Sequence, residues 1–299
     1  MANSLLRSWL FVPGNRPRFI EKALGVSADA IFLELEDGVP VAEKPAAREL
    51  VVAALGRHAG GVMQFVRVNS MRSPWFDDDL EAILHTGLAG ICLPKVESPR
   101  QVEVLAGKLE AFEESANIAD PIRIIASIES AASLVNAPAI AASHERLVAL
   151  MLGAEDFALD LGLGTNREGE ARELLYARSA VVIAAAAANL FAIDGVYPQL
   201  EDDEGLLQDA RQARRLGFRA KSTFHPGQIA IINDVFSPST DEIEYAQRVI
   251  AAFDGAVQRG DGAVAVGGQL VDQPVVQRAR QLLASAQLLA CTGDGGEAC

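Results

Sequence analysis

The sequence predicts an α/β protein, a (β/α)8 TIM barrel carrying a C-terminal lid extension of helix and hairpin. Apolar runs of strand length alternate with runs of helix length eight times between Leu5 and Pro226. Such alternation implies parallel strands, and eight units are the number that closes a barrel. Polar and charged residues collect where the apolar runs stop, as they do at the carboxyl face of such barrels. At 299 residues and 50% hydrophobic, the chain has room for a barrel of about 250 residues and an appendage.

Taken in order, Leu5 to Val12 reads as a strand broken by Pro13-Gly14, followed by a short helix from Pro17 to Gly25. Strand Ala30 to Leu35 stops at Glu36-Asp37-Gly38, and helix Glu43 to Leu55 leads to strand Gln64 to Val68, which carries Arg67 and ends at Asn69. A helix from Phe76 to His85 precedes strand Gly90 to Leu93, then Pro94-Lys95 and helix Pro99 to Phe112. Strands then begin at Arg123 and Leu147, and a long helix, Gly169 to Leu190, precedes strand Phe191 to Val196, with Asp194 inside it. Helix Asp203 to Leu216 and strand Ala220 to Phe224, ending in His225-Pro226, complete the repeats. The barrel is expected to occupy residues 1–236, a lid and oligomerisation extension 237–291, and a disordered tail 292–299. Within the extension, helix Pro238 to Phe253 leads to a hairpin about Gly267-Gly268 and a last helix, Val275 to Leu289.

Composition narrows the partners. Twenty-six basic against 40 acidic residues leave a net charge of −14 without a Lys/Arg cluster, which argues against nucleic acid. The N-terminal apolar stretch is too short for a secretory signal, and the Ala-rich run from Ser179 to Leu190 reads as a buried helix, not a membrane span. Cys92, Cys291 and Cys299 show no pairing pattern, as expected of a reduced cytoplasmic chain, and Cys92 reads as an inert packed thiol.

The chemistry centres on two runs, R-I-I-A-S-I-E-S and L-V-A-L-M-L-G-A-E-D-F, which end in Glu129 and Asp156. Neighbouring parallel strands lie about 4.8 Å apart, so two acids at their carboxyl ends can share one cation. One or two carboxylates completed by substrate oxygens and water is the usual protein site for Mg²⁺. Each acid could equally cap the next helix or pair with a base. Asn15, Glu36, Asp37, Arg67, Asn69, Lys95, Asp194 and His225 belong to the same strand ends. Among them Asp37 reads as a helix or turn cap or as a group beside the metal, Lys95 as the ion-pair partner of Glu36 before a holder of a substrate acid, and His225 as a structural hydrogen bonder before a catalytic group.

The motifs R-S-W-L-F-V-P-G-N-R-P, L-E-L-E-D-G-V, V-R-V-N, L-P-K-V-E-S, I-E-S-A, G-A-E-D-F and F-H-P-G-Q-I occur in this order. Together they resemble the citrate lyase β-subunit-like family of the HpcH/HpaI aldolase superfamily, which includes malyl-CoA and citramalyl-CoA lyases. The resemblance runs from about Leu5 to Ala290. It implies a Mg²⁺-dependent lyase that makes or breaks a carbon–carbon bond between a 2-oxo acid and an acyl-CoA enolate. Glu129 and Asp156 match the family's metal ligands, Glu129 lying against substrate, and Arg67 its substrate-contacting arginine. Phe11, Arg16 and Lys22 match residues that contact CoA. Asp272 of V-D-Q-P matches an aspartate supplied to the site of an adjacent subunit, as acid or base at the acyl methyl carbon. Its position alone reads as a helix N-cap. Ser130 stands where members usually carry Thr. The resemblance further implies a homo-oligomer, trimer or hexamer, with an acyl-CoA thioester and a 2-oxo acid as its small-molecule partners. (S)-Citramalyl-CoA and L-malyl-CoA are the leading substrates. The alternatives are a citrate lyase β subunit acting on citryl-acyl-carrier-protein, a malate synthase or malyl-CoA thioesterase, and a non-catalytic CoA-ester sensor.

Overall fold

A computed structural model describes residues 6–55, 62–84, 88–164 and 171–293, the last three of these without their side chains. The described chain divides into two compact units, one from Leu6 to Asp234 and one beginning at Val235.

The first unit is a closed barrel of eight parallel strands: β1 Ser8–Pro13, β2 Ala30–Glu34, β3 Met63–Arg67, β4 Gly90–Leu93, β5 Arg123–Ile128, β6 Leu147–Leu152, β7 Phe191–Asp194 and β8 Ala220–Thr223. Consecutive strands pair in sequence order, and β1 closes on β8 through Ser8 opposite Lys221 and Trp9 opposite Ser222. The strands are near-continuous apolar runs because helices cover their outer face while side chains fill the lumen. Register sets Phe11 opposite Phe32 and Phe32 opposite Phe65. The Phe11 and Phe32 rings stack at 4.7 Å, and Trp9 stacks on Phe32 at 4.9 Å, so an aromatic layer floors the barrel below its polar rim.

The covering helices are α1 Pro17–Ala23, α2 Lys44–Leu55, α3 Phe76–Ile83, α4 Pro99–Ala116, α5 Ala131–Ala141, α6 Ala154–Asp160, α7 Leu175–Ala187, α8 Asp203–Leu216 and α9 Ile229–Phe236. Two differ from the sequence reading. Asp156 does not end a strand: β6 stops at Leu152, and Gly153 starts the short helix α6, which places Asp156 in a first helical turn. The long helix expected from Gly169 is α7, entered through a 3-10 turn at Arg172–Leu174, while residues 165–170 lie outside the described residues.

The second unit contains α10 Thr240–Gln258, a hairpin of β9 Val264–Val266 and β10 Gln269–Val271, and α11 Gln273–Gly293. Ser239 caps α10, with Glu242 bonding back in a capping box. Gly267 and Gly268 both have positive φ, 57° and 80°, as a type I′ hairpin turn requires. Val249, Phe253, Val271 and Val276 pack a small core between helices and hairpin. Thr292 and Gly293 continue α11, and the rest of the expected tail, 294–299, lies outside the described residues. Among the described residues no helix is long and apolar enough to cross a membrane.

Candidate active site

Glu129 follows β5 directly and is 3% exposed. Its orientation comes from two local devices. Ser133 Oγ accepts the Glu129 backbone N–H at 3.0 Å, within a capping box in which Ser130 Oγ accepts from Ser133 N. Ser130 thus serves as the N-cap of α5, a task shared by Ser and Thr. On the other side Glu129 Oε2 accepts the Lys95 N–H at 3.0 Å. Gly153 lies so near that a Cβ there would stand 2.7 Å from Glu129 Oε1, which fixes glycine at this turn.

Asp156 faces the same space from the first turn of α6. Glu129 and Asp156 together line two adjoining clefts at the carboxyl edge of the strands. One, of ≈ 370 Å³, is walled by Ser70, Arg72, Lys95, Glu97 and Leu159. The other, of ≈ 50 Å³, brings in Phe11, Arg67, Ser222 and Phe224. Burial raises the pKa of Glu129; Arg67 pulls it back down and the charge of Asp156 pushes it up again.

Arg67, the last residue of β3, is 8% exposed. Its Nε donates to Glu34 Oε2 at 2.5 Å, and its guanidinium carbon lies 4.5 Å from the centre of the Phe11 ring. Burial lowers its pKa, but Glu34, Glu36 and Glu129 outweigh burial and raise it, so it stays protonated. Glu36 is 4% exposed, and burial raises its pKa to about 8 against the opposing charge of Arg67. Lys95 Nζ and Arg67 Nε lie 3.0 and 3.5 Å from its oxygens, yet neither is aligned for a hydrogen bond.

The remaining sequence candidates sort by position. Asp37 is exposed and pairs with Lys95 Nζ at 3.0 Å; Lys95 thereby joins Glu36 and Asp37, which includes the ion pair read from the sequence. Asp37 and Gly38 sit in the middle of a turn closed by the Val39 N–H to Glu36 O at 3.1 Å, as the sequence suggests; Gly38 has no positive φ there, and a Cβ would meet Glu34 Cγ at 2.9 Å. Arg16 and Lys22 are exposed at the start of and within α1 and line neither cleft. His225 Nδ1 accepts the Gly227 N–H at 3.2 Å, a structural hydrogen bond. Asp194 does not serve the clefts: Arg178 and Lys221 each hold it at 2.6 Å, and their charges, overcoming burial, keep its pKa low. Asn69 is likewise taken up by Leu35 O and Asp79. In the second unit, Asp272 Oδ1 accepts the Val275 N–H at 3.3 Å, the N-cap geometry of α11. Glu34, beyond the residues expected from the sequence, also belongs here; its signal is a lone carboxylate inside the apolar run A-I-F-L-E.

The fold and these clefts define a (β/α)8 barrel protein with paired carboxylates at its carboxyl face, hard oxygen donors of the kind that suit a small divalent cation. A model of the family HpcH/HpaI aldolase/citrate lyase matches residues 7–226, and the chain belongs to that family. It is 39% identical to the citrate lyase subunit beta of Leuconostoc mesenteroides subsp. cremoris, over 93% of this chain and 92% of that one. It is 37% identical to a (3S)-malyl-CoA thioesterase of Cereibacter sphaeroides, over 96% of each. Mitochondrial citramalyl-CoA lyase of Homo sapiens is 34% identical, over 94% of this chain and 85% of that protein. Among solved structures, CitE of Mycobacterium tuberculosis in complex with magnesium, acetoacetate and coenzyme A matches with a TM-score of 0.79 at 34% identity. That match covers 95% of this chain and 99% of that one.

Proposed function

We propose that the protein is a Mg²⁺-dependent carbon–carbon lyase that cleaves a β-hydroxyacyl-CoA into acetyl-CoA and a 2-oxo acid. (S)-Citramalyl-CoA, giving pyruvate, and L-malyl-CoA, giving glyoxylate, are the leading substrates. The observation that carries this reading is the convergence of Glu129, Asp156 and Arg67 on one cleft. Magnesium in the relative from M. tuberculosis, together with the buried Glu129 and the Asp156 that shares both clefts with it here, supports these two carboxylates as its ligands. When bound, the ion supplies Lewis acidity at the oxygen atoms of the oxo-acid half.

In cleavage the substrate hydroxyl gives its proton to solvent water and becomes the carbonyl of the oxo acid. The bond to the acyl α-carbon breaks, and its electron pair passes into the thioester as an enolate. Arg67, permanently charged, holds the oxygen on which negative charge gathers; loss of one such contact costs about 10²–10³ in rate. Phe11 walls the same cleft, while Arg16 and Lys22 offer exposed positive charge for the CoA phosphates of an otherwise acidic protein. Asp37 stays beside the site through Lys95 and is assigned to adjusting charge there. Asp272, carried by a neighbouring copy in a trimer or hexamer, is assigned the proton that turns the enolate into the acetyl methyl group. A reduced cytoplasmic setting suits the buried free thiol of Cys92.

The relative named as a thioesterase favours a second reading, hydrolysis of malyl-CoA to malate and free CoA. The relative named as a citrate lyase subunit points instead to a thioester on a carrier protein. A panel of CoA thioesters and citryl-acyl-carrier-protein, assayed with and without chelator, decides among them. The lyase reading requires acetyl-CoA and oxo acid to appear together only when Mg²⁺ is present. Free CoA with a hydroxy acid would establish the thioesterase, turnover of the carrier-protein ester alone the citrate lyase subunit, and binding without turnover a sensor.

A further inference from the structure

Resting on the assignment of Arg67 to the substrate, we propose that Glu34 is the positioning residue that fixes the direction of the Arg67 guanidinium. Glu34 and Arg67 are directly opposite each other in the parallel register of β2 and β3, so both side chains enter the barrel lumen side by side. Glu34 is 2% exposed, and each of its oxygens has a single task. Oε2 accepts Arg67 Nε–H, and Oε1 accepts the Glu36 backbone N–H, both at 2.5 Å.

The second bond makes the first directional. A carboxylate anchored at one oxygen to the backbone cannot swing with the arginine, so the guanidinium is pinned by its Nε edge. The Phe11 ring, 4.5 Å away, fixes its plane. Among the described residues Nη1 and Nη2 form no hydrogen bond to the protein, and Arg67 lines the cleft shared with Glu129 and Asp156. The two-pronged end of the guanidinium, the part suited to paired oxygen acceptors, is left for a ligand. Glu36 cannot take this task, since its oxygen stands 3.5 Å from Nε and out of alignment. Gly38 completes the device, because a Cβ there would press on Glu34 Cγ at 2.9 Å.

Stability does not account for the pair. Burial raises the pKa of Glu34 against the pull of Arg67, and a buried ion pair is commonly replaceable by apolar groups of like volume without loss. Direction at the cleft is what an apolar pair would not supply.

The test is a double-mutant cycle with Glu34→Gln, Arg67→Lys and the combined variant in the full-length protein. Calorimetry measures Mg²⁺ alone, then acetoacetate in the presence of Mg²⁺. Glu34→Gln is expected to weaken acetoacetate about 10–100-fold, the scale of loss when a group that orients a metal ligand is removed, carried here to a group that orients Arg67. Mg²⁺ affinity stays unchanged, and Glu34→Asp restores part of the loss. If Glu34 acts only through Arg67, the combined variant is no weaker than Arg67→Lys alone. Additive losses, unchanged acetoacetate binding in Glu34→Gln, or weakened Mg²⁺ binding would each overturn the assignment. Independently of any ligand, the wild-type protein is expected to show a slowly exchanging Arg67 Nε–H resonance that Glu34→Gln abolishes. Its absence from the wild type defeats the inference. Its presence in a protein that binds no acetoacetate defeats instead the substrate role of Arg67.

Discussion

Lys95 donates its backbone N–H to Glu129 Oε2 at 3.0 Å from a left-handed conformation, φ 54°. A side-chain-bearing residue in that region costs about 1–2 kcal/mol, and here the cost accompanies the aiming of a candidate metal ligand. Glycine adopts this conformation without penalty, whereas alanine keeps the strain. Both substitutions remove the Nζ contacts to Glu36 and Asp37. Lys95→Gly is therefore expected to be about 1 kcal/mol more stable than Lys95→Ala, the reverse of their order in a helix or strand. Urea unfolding of the two variants measures the difference.

Gly153 gives a prediction on ligand geometry. A methyl group at this position collides with Glu129, which has no room to retreat at 3% exposure. Gly153→Ala is expected to displace the Glu129 carboxylate and weaken Mg²⁺ about 10–100-fold, the range seen when support for a metal ligand is lost. Asp156→Ala removes a ligand outright, and calorimetry should then detect no Mg²⁺ binding while the fold persists. Full Mg²⁺ affinity in both variants would take the ion away from this cleft.

The barrel was readable from the sequence because strand and helix periods differ, and the eight apolar runs of parallel strands are hard to confuse with loops. Glu129 was legible for the same reason, as a charge where an apolar run stops, whereas Asp156 lies four residues past β6 in the first turn of α6 and reaches the cleft from there. Polarity at a strand end did not tell a cleft residue from one satisfied inside the wall. Asp194 looked equivalent to Glu129, yet its partners Arg178 and Lys221 come from elements 16 and 27 residues away, and only the closed barrel brings them together. Glu34 escaped notice because its role depends on its opposite number in the next strand, which register alone decides.

Glu36 sets a pH dependence. Its pKa lies at about 8 in the folded protein against an ordinary 4.5, because burial and the charges of Glu129, Asp37 and Glu34 outweigh Arg67. Between those two values the folded chain holds a proton that the unfolded chain has released, so stability falls as pH rises through this window. At about 1.4 kcal/mol per pKa unit, the change amounts to a few kcal/mol at most. Thermal melts of chelated protein from pH 5 to 8 should show the decline, and Glu36→Gln should flatten it. An undiminished slope in that variant would place the titrating group elsewhere.

Asp272 separates a structural role from a chemical one. As the N-cap of α11 it accepts the Val275 N–H, and asparagine performs that task as well as aspartate. Asparagine cannot, however, exchange a proton at neutral pH. Asp272→Asn is therefore expected to leave the melting temperature and Mg²⁺ affinity unchanged while lowering the cleavage rate about 10²–10⁴-fold, the usual contribution of a general acid or base. Deuterium exchange into the methyl group of acetyl-CoA, followed by NMR, reads the step directly. Asp272→Ala, which also loses the cap, should in addition cost about 0.5–2 kcal/mol of stability. Exchange at the wild-type rate in Asp272→Asn would leave this residue with its cap alone and assign the proton to another group.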